Sequence, residues 1–397
     1  MAAIIDIANL DIVFGVNPRV ALTLLDQGKS RSQIQESCGQ LVAAHNINLT
    51  INRGEIFVLM GLSGSGKSTL LRAINGLLPI ARGQISLFLR EGEGTKTYQL
   101  AHIDEHTLRH IRTHHIAMVF QQAALLPWRS VESNVAFGLE LKGLPKHEID
   151  KKVAQSLSLV GLSQWAHHVP SELSGGMQQR VGLARALATD AEILLMDEPF
   201  SALDPLIRSH LQQELLLLQK SLQKTIIFVS HDLDEALKIG SRIAIMQDGA
   251  IVQMGKAEEI IAQPKTSVVR NFVAHIDQTK LLRAKSLMTA LGELKKHESD
   301  TSVMLDKTGH FRCLLDENGR PRRSLCHDIE GRIIPWTLYQ SGTFSEYDIV
   351  LGTEHLMIKD VIDVVGRTKR PMVIQDQSGK MIGAITTESI LEALSSK

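Results

Sequence analysis

The run Gly61, Leu62, Ser63, Gly64, Ser65, Gly66, Lys67, Ser68 and Thr69 constrains this chain more than any other stretch. It fits G-x-x-x-x-G-K-[ST], and it lies between an apolar strand pattern (55–60) and the first turns of a helical one (70–76). A strand, a glycine loop and a helix in that order open a layered α/β fold. The glycines let backbone N–H groups converge on phosphate oxygens, and the helix N-terminus adds a partial positive charge. Lys67 is then expected at the β- and γ-phosphates, and the Ser68 hydroxyl on Mg²⁺. The loop by itself names neither the nucleotide nor the work that its hydrolysis drives.

At 397 residues the chain has room for two or three domains, each with its own core. Lys plus Arg and Asp plus Glu both number 43, so the net charge is zero and non-specific nucleic-acid binding is not expected. No apolar run reaches the roughly 18–20 residues of a membrane span, and residues 1–6 do not read as a signal peptide. Cys38, Cys313 and Cys326, odd in number and far apart, point to reduced thiols. The expected location is the cytoplasmic face of a membrane, with the membrane link made by a partner.

Strand patterns occur at 4–14, 41–51, 55–60, 83–89, 116–120, 193–197, 225–230 and 242–246, alternating with helical ones. Between the first two, Ala21, Leu24 and Leu25 have helical spacing, and Ser30 to Ser32 offer a cap for a second short helix with Ile34 on its apolar side. Residues 104–188 read as a mainly helical subdomain. The pattern changes near 262–279, which divides the chain into a nucleotide-binding domain at 1–275 and a smaller one at 280–397. The latter carries a weak repeat in which 302–309 and 311–315 answer to 371–379 and 381–385, each half a strand, glycine turn and strand.

Residues 193–198 are four apolar residues ending in Asp197 and Glu198. Such a strand delivers Asp197 to a phosphate loop to hold Mg²⁺, and sets Glu198 to orient and deprotonate the attacking water. Ser174, Gly175 and Gly176 open a helical run at 177–188, a second helix N-terminus suited to an anion.

With that second anion site the chain resembles the ATP-binding subunit of an ABC transporter. The likeness rests on 61–69, the signature 173–180 (which includes Gln178), 193–198, the turn Ser201-Ala-Leu-Asp204, His231 after a strand, and Gln121 after 116–120. It implies a P-loop NTPase core with an antiparallel β subdomain and a helical subdomain. Two copies would face head to tail and share two ATP molecules, each between the phosphate loop of one copy and Ser174, Gly175, Gly176 and Gln178 of the other. Gln121 would approach Mg²⁺ and the attacking water, His231 would meet the γ-phosphate, and Asp204 would link the two sites. Phe14 is the candidate for stacking on adenine, with a place in the apolar core as the alternative.

The 19–39 insertion, the wording of residues 60–69 and the stretch 118–128 are similar to the glycine betaine/choline branch of ABC importers. That implies uptake of a quaternary ammonium solute, choline first and glycine betaine or proline betaine next. It further implies a transmembrane permease subunit, met near 125–135, and a solute-binding protein reached indirectly. The C-terminal repeat is similar to the paired CBS modules of this branch, a small α+β regulatory domain with a degenerate first half. Ser389 stands where such modules place a ribose-binding aspartate, which speaks against an adenine nucleotide there. His102, His106, His110 and His114 recur every four residues, but the turn pattern at 103–106 breaks the ladder, so no metal is expected on it. The competing function is a soluble ABC ATPase acting on nucleic acid or ribosomes. It is disfavoured, since paired cassettes, coiled-coil insertions and zinc modules are absent from the sequence pattern.

Overall fold

The segments Ile56–Met60, Ile193–Asp197 and Thr225–Ser230 are buried at every position, the mark of strands covered on both faces. In the computed structural model, which describes residues 2–92, 94–274, 283–297, 302–339 and 344–395, they form the middle of a six-stranded sheet. Its order is Ala250–Gly255, Arg242–Gln247, Ile56–Met60, Thr225–Ser230, Ile193–Asp197, Ile116–Val119. All neighbours run parallel except the antiparallel edge strand Ala250–Gly255. Register places the functional loops: Met60 pairs with Ser230, and Asp197 with Val229. Three loops therefore leave the same end of adjacent strands, which is where ligands bind in open α/β sheets.

A four-stranded antiparallel sheet, ordered Leu41–Asn52, Ala3–Phe14, Arg82–Glu91, Gly94–Gln99, shares an apolar core with the first. The insertion between its first two strands folds as helices Pro18–Asp26 and Arg31–Cys38. Ser30 and Gln33 form a capping box at the second helix, and fully buried Ile34 packs with Ala21, Val13 and Val42. Arg82 ties this insertion down, with Nε 2.5 Å from Asp11 and Nη1 2.7 Å from Asp26.

The helical span expected at 104–188 is narrower in the structure. Helix Glu105–His114 sends Ile111 into the sheet core, and Ile116–Val119 is a sheet strand. The separate helical group is Val131–Leu141, Lys146–Leu159 and Gly175–Ala188, which pack on one another. Asn134, fully buried, keys the loop before them. Its Nδ2 lies 3.0–3.2 Å from the carbonyls of Leu126, Arg129 and Ser130, and its Oδ1 accepts from Leu126 N.

The described residues divide into two compact units, Met1–Ile276 and Asp277–Lys397. Residues 275–282, which include the expected boundary between 275 and 280, lie outside the described residues. The second unit holds an eight-stranded sheet. In it Ile349–Thr353, helix Ile358–Thr368, Met372–Gln375, Met381–Ile385 and helix Thr387–Ser395 form one β-α-β-β-α module. Two turns of this unit share one hydrogen-bonding pattern, in a register other than the one expected for the repeat. The turn at Asp376, where Oδ1 accepts from Ser378 N and Lys380 N, is reproduced at Asp316 with Asn318 N and Arg320 N. Hairpin Phe311–Leu315/Pro321–Cys326 thus answers to Met372–Gln375/Met381–Ile385, and Gly319 to Gly379, whereas the sequence pairing had matched 309 with 379. The first copy keeps the hairpin and lacks a helix equivalent to Ile358–Thr368 among the described residues. Burial pushes the Cys313 thiol in that hairpin up to about 12, which makes it unreactive.

Replacing Asn134 by Ala should strand several buried backbone groups at once. The expected cost is about 2–4 kcal/mol, read as a lower urea midpoint for the full chain. A midpoint equal to that of the parent chain contradicts the keying role.

Candidate active site

The phosphate loop takes its shape from glycines that nothing else can replace. Gly66 has φ +101°, and a Cβ there would stand 2.3 Å from Ala43 O. At Gly61, φ is +152° and a Cβ would stand 2.2 Å from Met246 O. The loop is thus pressed against two strands, and Gly249 N donates to Ser65 O from a third side. Helix Lys67–Ile74 starts from Gly66 with its free N–H groups toward the loop.

Lys67 is buried, and its Nζ donates to Gly61 O (2.8 Å) and Leu62 O (3.0 Å). Burial pushes its ammonium below the usual value, against the pull of the Glu198 and Asp197 charges. Asp197 is fully buried, and its Oδ1 accepts from Ser68 Oγ at 2.6 Å. Its Oδ2 has no hydrogen bond, with Arg72 Nη2 at 3.6 Å, and Ser65 Oγ is likewise buried and unpaired. Orphaned oxygens of this kind beside a hydroxyl fit a hard dication, so Ser68 and Asp197 suit Mg²⁺.

Glu198 follows at φ +48°, a strained position for a non-glycine residue. The turn is held by Glu198 N to Val229 O and by Ser201 Oγ to Glu198 O. Two side chains converge on one carboxylate oxygen: Gln121 Nε2 and His231 Nδ1 each lie 3.2 Å from Glu198 Oε2. His231 is placed by the turn after its strand, where Ser230 Oγ donates to Glu235 and Asp232 caps helix Leu233–Ile239. A cleft of about 440 Å³ runs from Leu62 past His231 to Phe272.

Phe14 is 37 % exposed at the end of its strand, which removes the core alternative. It pairs with Leu41, two residues before Ala43, whose carbonyl abuts the Cβ position of Gly66. Ser174 caps helix Gly175–Ala188 through Met177 N, and Ser174 and Gly175 are exposed. Among the described residues no hydrogen bond joins Ser174, Gly175 or Gly176 to residues 61–69. Gly176 instead packs on the turn before Asp204, 3.3 Å from Ala202 O at its Cβ position. Asp204 accepts from Leu206 N and Ile207 N as the cap of helix Pro205–Leu222.

Gln178 departs from the expected ligand role. Its Nε2 donates to Pro170 O (2.9 Å) and Leu173 O (3.2 Å), so its donors hold the signature loop together. Arg72 was missed in the sequence, though it lies four residues after Ser68 on one helix and so shares its face.

A phosphate-binding loop, a buried Mg²⁺-type carboxylate and a polarised glutamate at parallel strand ends define a P-loop ATPase. Residues 44–201 match the family model described as ABC transporter. The glycine betaine/proline betaine transport system ATP-binding protein ProV of Escherichia coli (strain K12) is 48% identical over 99% of this chain and 98% of its own length. The glycine betaine/carnitine transport ATP-binding protein GbuA of Listeria monocytogenes serotype 1/2a (strain 10403S) is 38% identical, covering 98% and 97%. A dimeric post-hydrolysis structure of the ATP-binding cassette MJ0796 with ADP and Pi is 30% identical, with a TM-score of 0.54, and covers 64% of this chain and 98% of that one. The chain belongs to the ATP-binding subunits of ABC transporters.

Gly66→Ala combines left-handed strain with a backbone clash. It should weaken ATP binding about 10–100-fold in a fluorescent-nucleotide titration. Wild-type affinity in that variant overturns the account of the loop.

Proposed function

We propose that this chain powers the import of a quaternary ammonium or betaine solute, through ATP-driven closure of a head-to-tail dimer. The convergence of Gln121 and His231 on one oxygen of Glu198 supports the catalytic half of this reading. In each composite site Lys67 and the loop amides of residues 61–69 bind the β- and γ-phosphates. Phe14 stacks on adenine, and Ser174, Gly175 and Gly176 of the second copy cover the γ-phosphate. Ser68 and Asp197, with Gln121 nearby, hold Mg²⁺, which when bound neutralises phosphate charge. Glu198 accepts the proton of the attacking water as its oxygen adds to the γ-phosphorus and ADP leaves. Gln121 and His231 fix the carboxylate for that transfer, since a base must be oriented before its basicity counts. Loss of the γ-phosphate removes the ligand that joins the two copies, and the dimer opens. Asp204, at the turn that carries Gly176, links one half-site to the other.

The solute reading is supported by relatives that match nearly end to end and whose names carry glycine betaine. On that ground glycine betaine or proline betaine moves ahead of choline, the first choice from sequence. The permease subunit docks on the loop that Asn134 keys, and the solute-binding protein acts through the permease. Residues 280–397 act as a CBS-type regulator in which the second half is the complete module.

Glu198→Gln should keep ATP binding and lower hydrolysis about 10²–10⁴-fold, equivalent to roughly 3–5 kcal/mol of barrier. Near-normal turnover removes Glu198 as base. In vesicles carrying the cognate permease and binding protein, ATP-dependent uptake of labelled glycine betaine should exceed that of choline. Transport of neither sinks the solute assignment without touching the ATPase.

A further inference from the structure

We propose that Glu91, His110 and His115 form a binding site for a dication of the zinc class, remote in composition and role from the nucleotide site. One donor atom from each lies within 4.8 Å of the other two. Glu91 ends the strand Arg82–Glu91, His110 sits on helix Glu105–His114, and His115 is the cap residue before the strand Ile116–Val119. Tetrahedral coordination at about 2.0–2.1 Å sets donors about 3.3 Å apart. The three groups must therefore close by at most about 1.5 Å, within reach of side-chain rotation at exposed His110.

The outer contacts are those that orient metal ligands. Glu192 Oε1 lies 3.0 Å from His115 Nδ1, and its Oε2 lies 2.7 Å from Arg53 Nη1. A carboxylate on Nδ1 fixes the tautomer and leaves Nε2 as the donor. The hydroxyl of buried Tyr98 donates to Glu91 Oε1, which frees Oε2 for an ion. Lys96 Nζ is 3.6 Å from that Oε2, and its side chain is 60 % exposed, so it can swing clear. The His114 ring stacks on the exposed His110 ring at 4.4 Å. Two imidazoles and one carboxylate select Zn²⁺ or its neighbours over Mg²⁺ and Ca²⁺, which prefer all-oxygen shells. Three protein ligands leave a fourth position for water.

The fourfold histidine ladder does not make this site. His102 precedes the helix, and of the four only His110 takes part. An ion held here would staple the end of the antiparallel sheet to the helix and to the first residues of the sheet strand beyond it.

Calorimetric titration of ZnCl₂ into the full chain, freed of metal by chelator and without nucleotide, tests the site. Binding with a Kd of about 10 μM or tighter is expected. Glu91→Gln and His110→Asn should each weaken it about tenfold or more, and His102→Asn should leave it unchanged. Hydrolysis of ATP with Mg²⁺, measured without zinc, should be normal in all three, which shows that they fold. Zinc affinity in His110→Asn equal to wild type, or no wild-type binding tighter than about 1 mM, overturns the proposal.

Discussion

The rest of the site depends on a carboxylate kept away from water, Asp197, at the end of a strand with no exposed residue. A carboxylate buried there carries a desolvation cost that neighbours must offset. The Ser68 hydroxyl and the distant Arg72 guanidinium supply part of that, and one of its oxygens stays unpaired. A charge left so incompletely compensated favours whatever cation enters. The buried Lys67, whose ammonium is itself pushed down by desolvation, lies near the same carboxylate and is held by the neutral carbonyls of Gly61 and Leu62. The two groups carry opposite charges, and a nucleotide with a dication would complement both. Stability is given up here for affinity, as expected where local rules are broken at functional sites.

Parallel register turns that local chemistry into a constellation. Because Met60, Ser230 and the residue beside Asp197 lie level across adjacent strands, the loops carrying Lys67, His231 and Glu198 emerge together. A slip of one residue in any of the three would send its side chains to the other face of the sheet. The unbroken burial of these strands is therefore a condition of catalysis as well as of folding.

The loops that follow fully apolar strands were legible in the sequence because burial on both faces leaves an unmistakable run. Edges were not. Strand Gly94–Gln99 buries Tyr98 alone, and Ala250–Gly255 buries Gln253 alone, so neither has a period to read. Helix Glu105–His114 lies outside the separate helical group because Ile111, with half-buried Leu108 beside it, packs into the sheet core, a choice of core that helical spacing does not encode. The C-terminal repeat was read one turn out of register, since the signal lies in side-chain hydrogen bonds from Asp316 and Asp376 and not in apolar runs. Gln178 was misread for a related reason: membership of a signature does not separate residues that face a ligand from those that hold the loop. Its neighbour Gln179 belongs to the second kind as well, buried with its amide on Phe120 O.

That neighbour carries a consequence for coupling. Helix Gly175–Ala188 begins at exposed Ser174, and its body is bound to the chain around Gln121 by Gln179 to Phe120 O and by Arg185 to the carbonyls of Ala123 and Ala124. Asn134 continues the connection from Leu126 to Ser130. Arg185 is desolvated strongly enough to push its guanidinium below the usual value, so breaking those bonds would expose a charged group with no ready replacement partner. Helix and loop are therefore tied together at several points. These bonds form a continuous path from Ser174 to Gln121, whose amide lies 3.2 Å from Glu198. Coupling through such a unit needs only that the contacts at its two ends differ in energy between states.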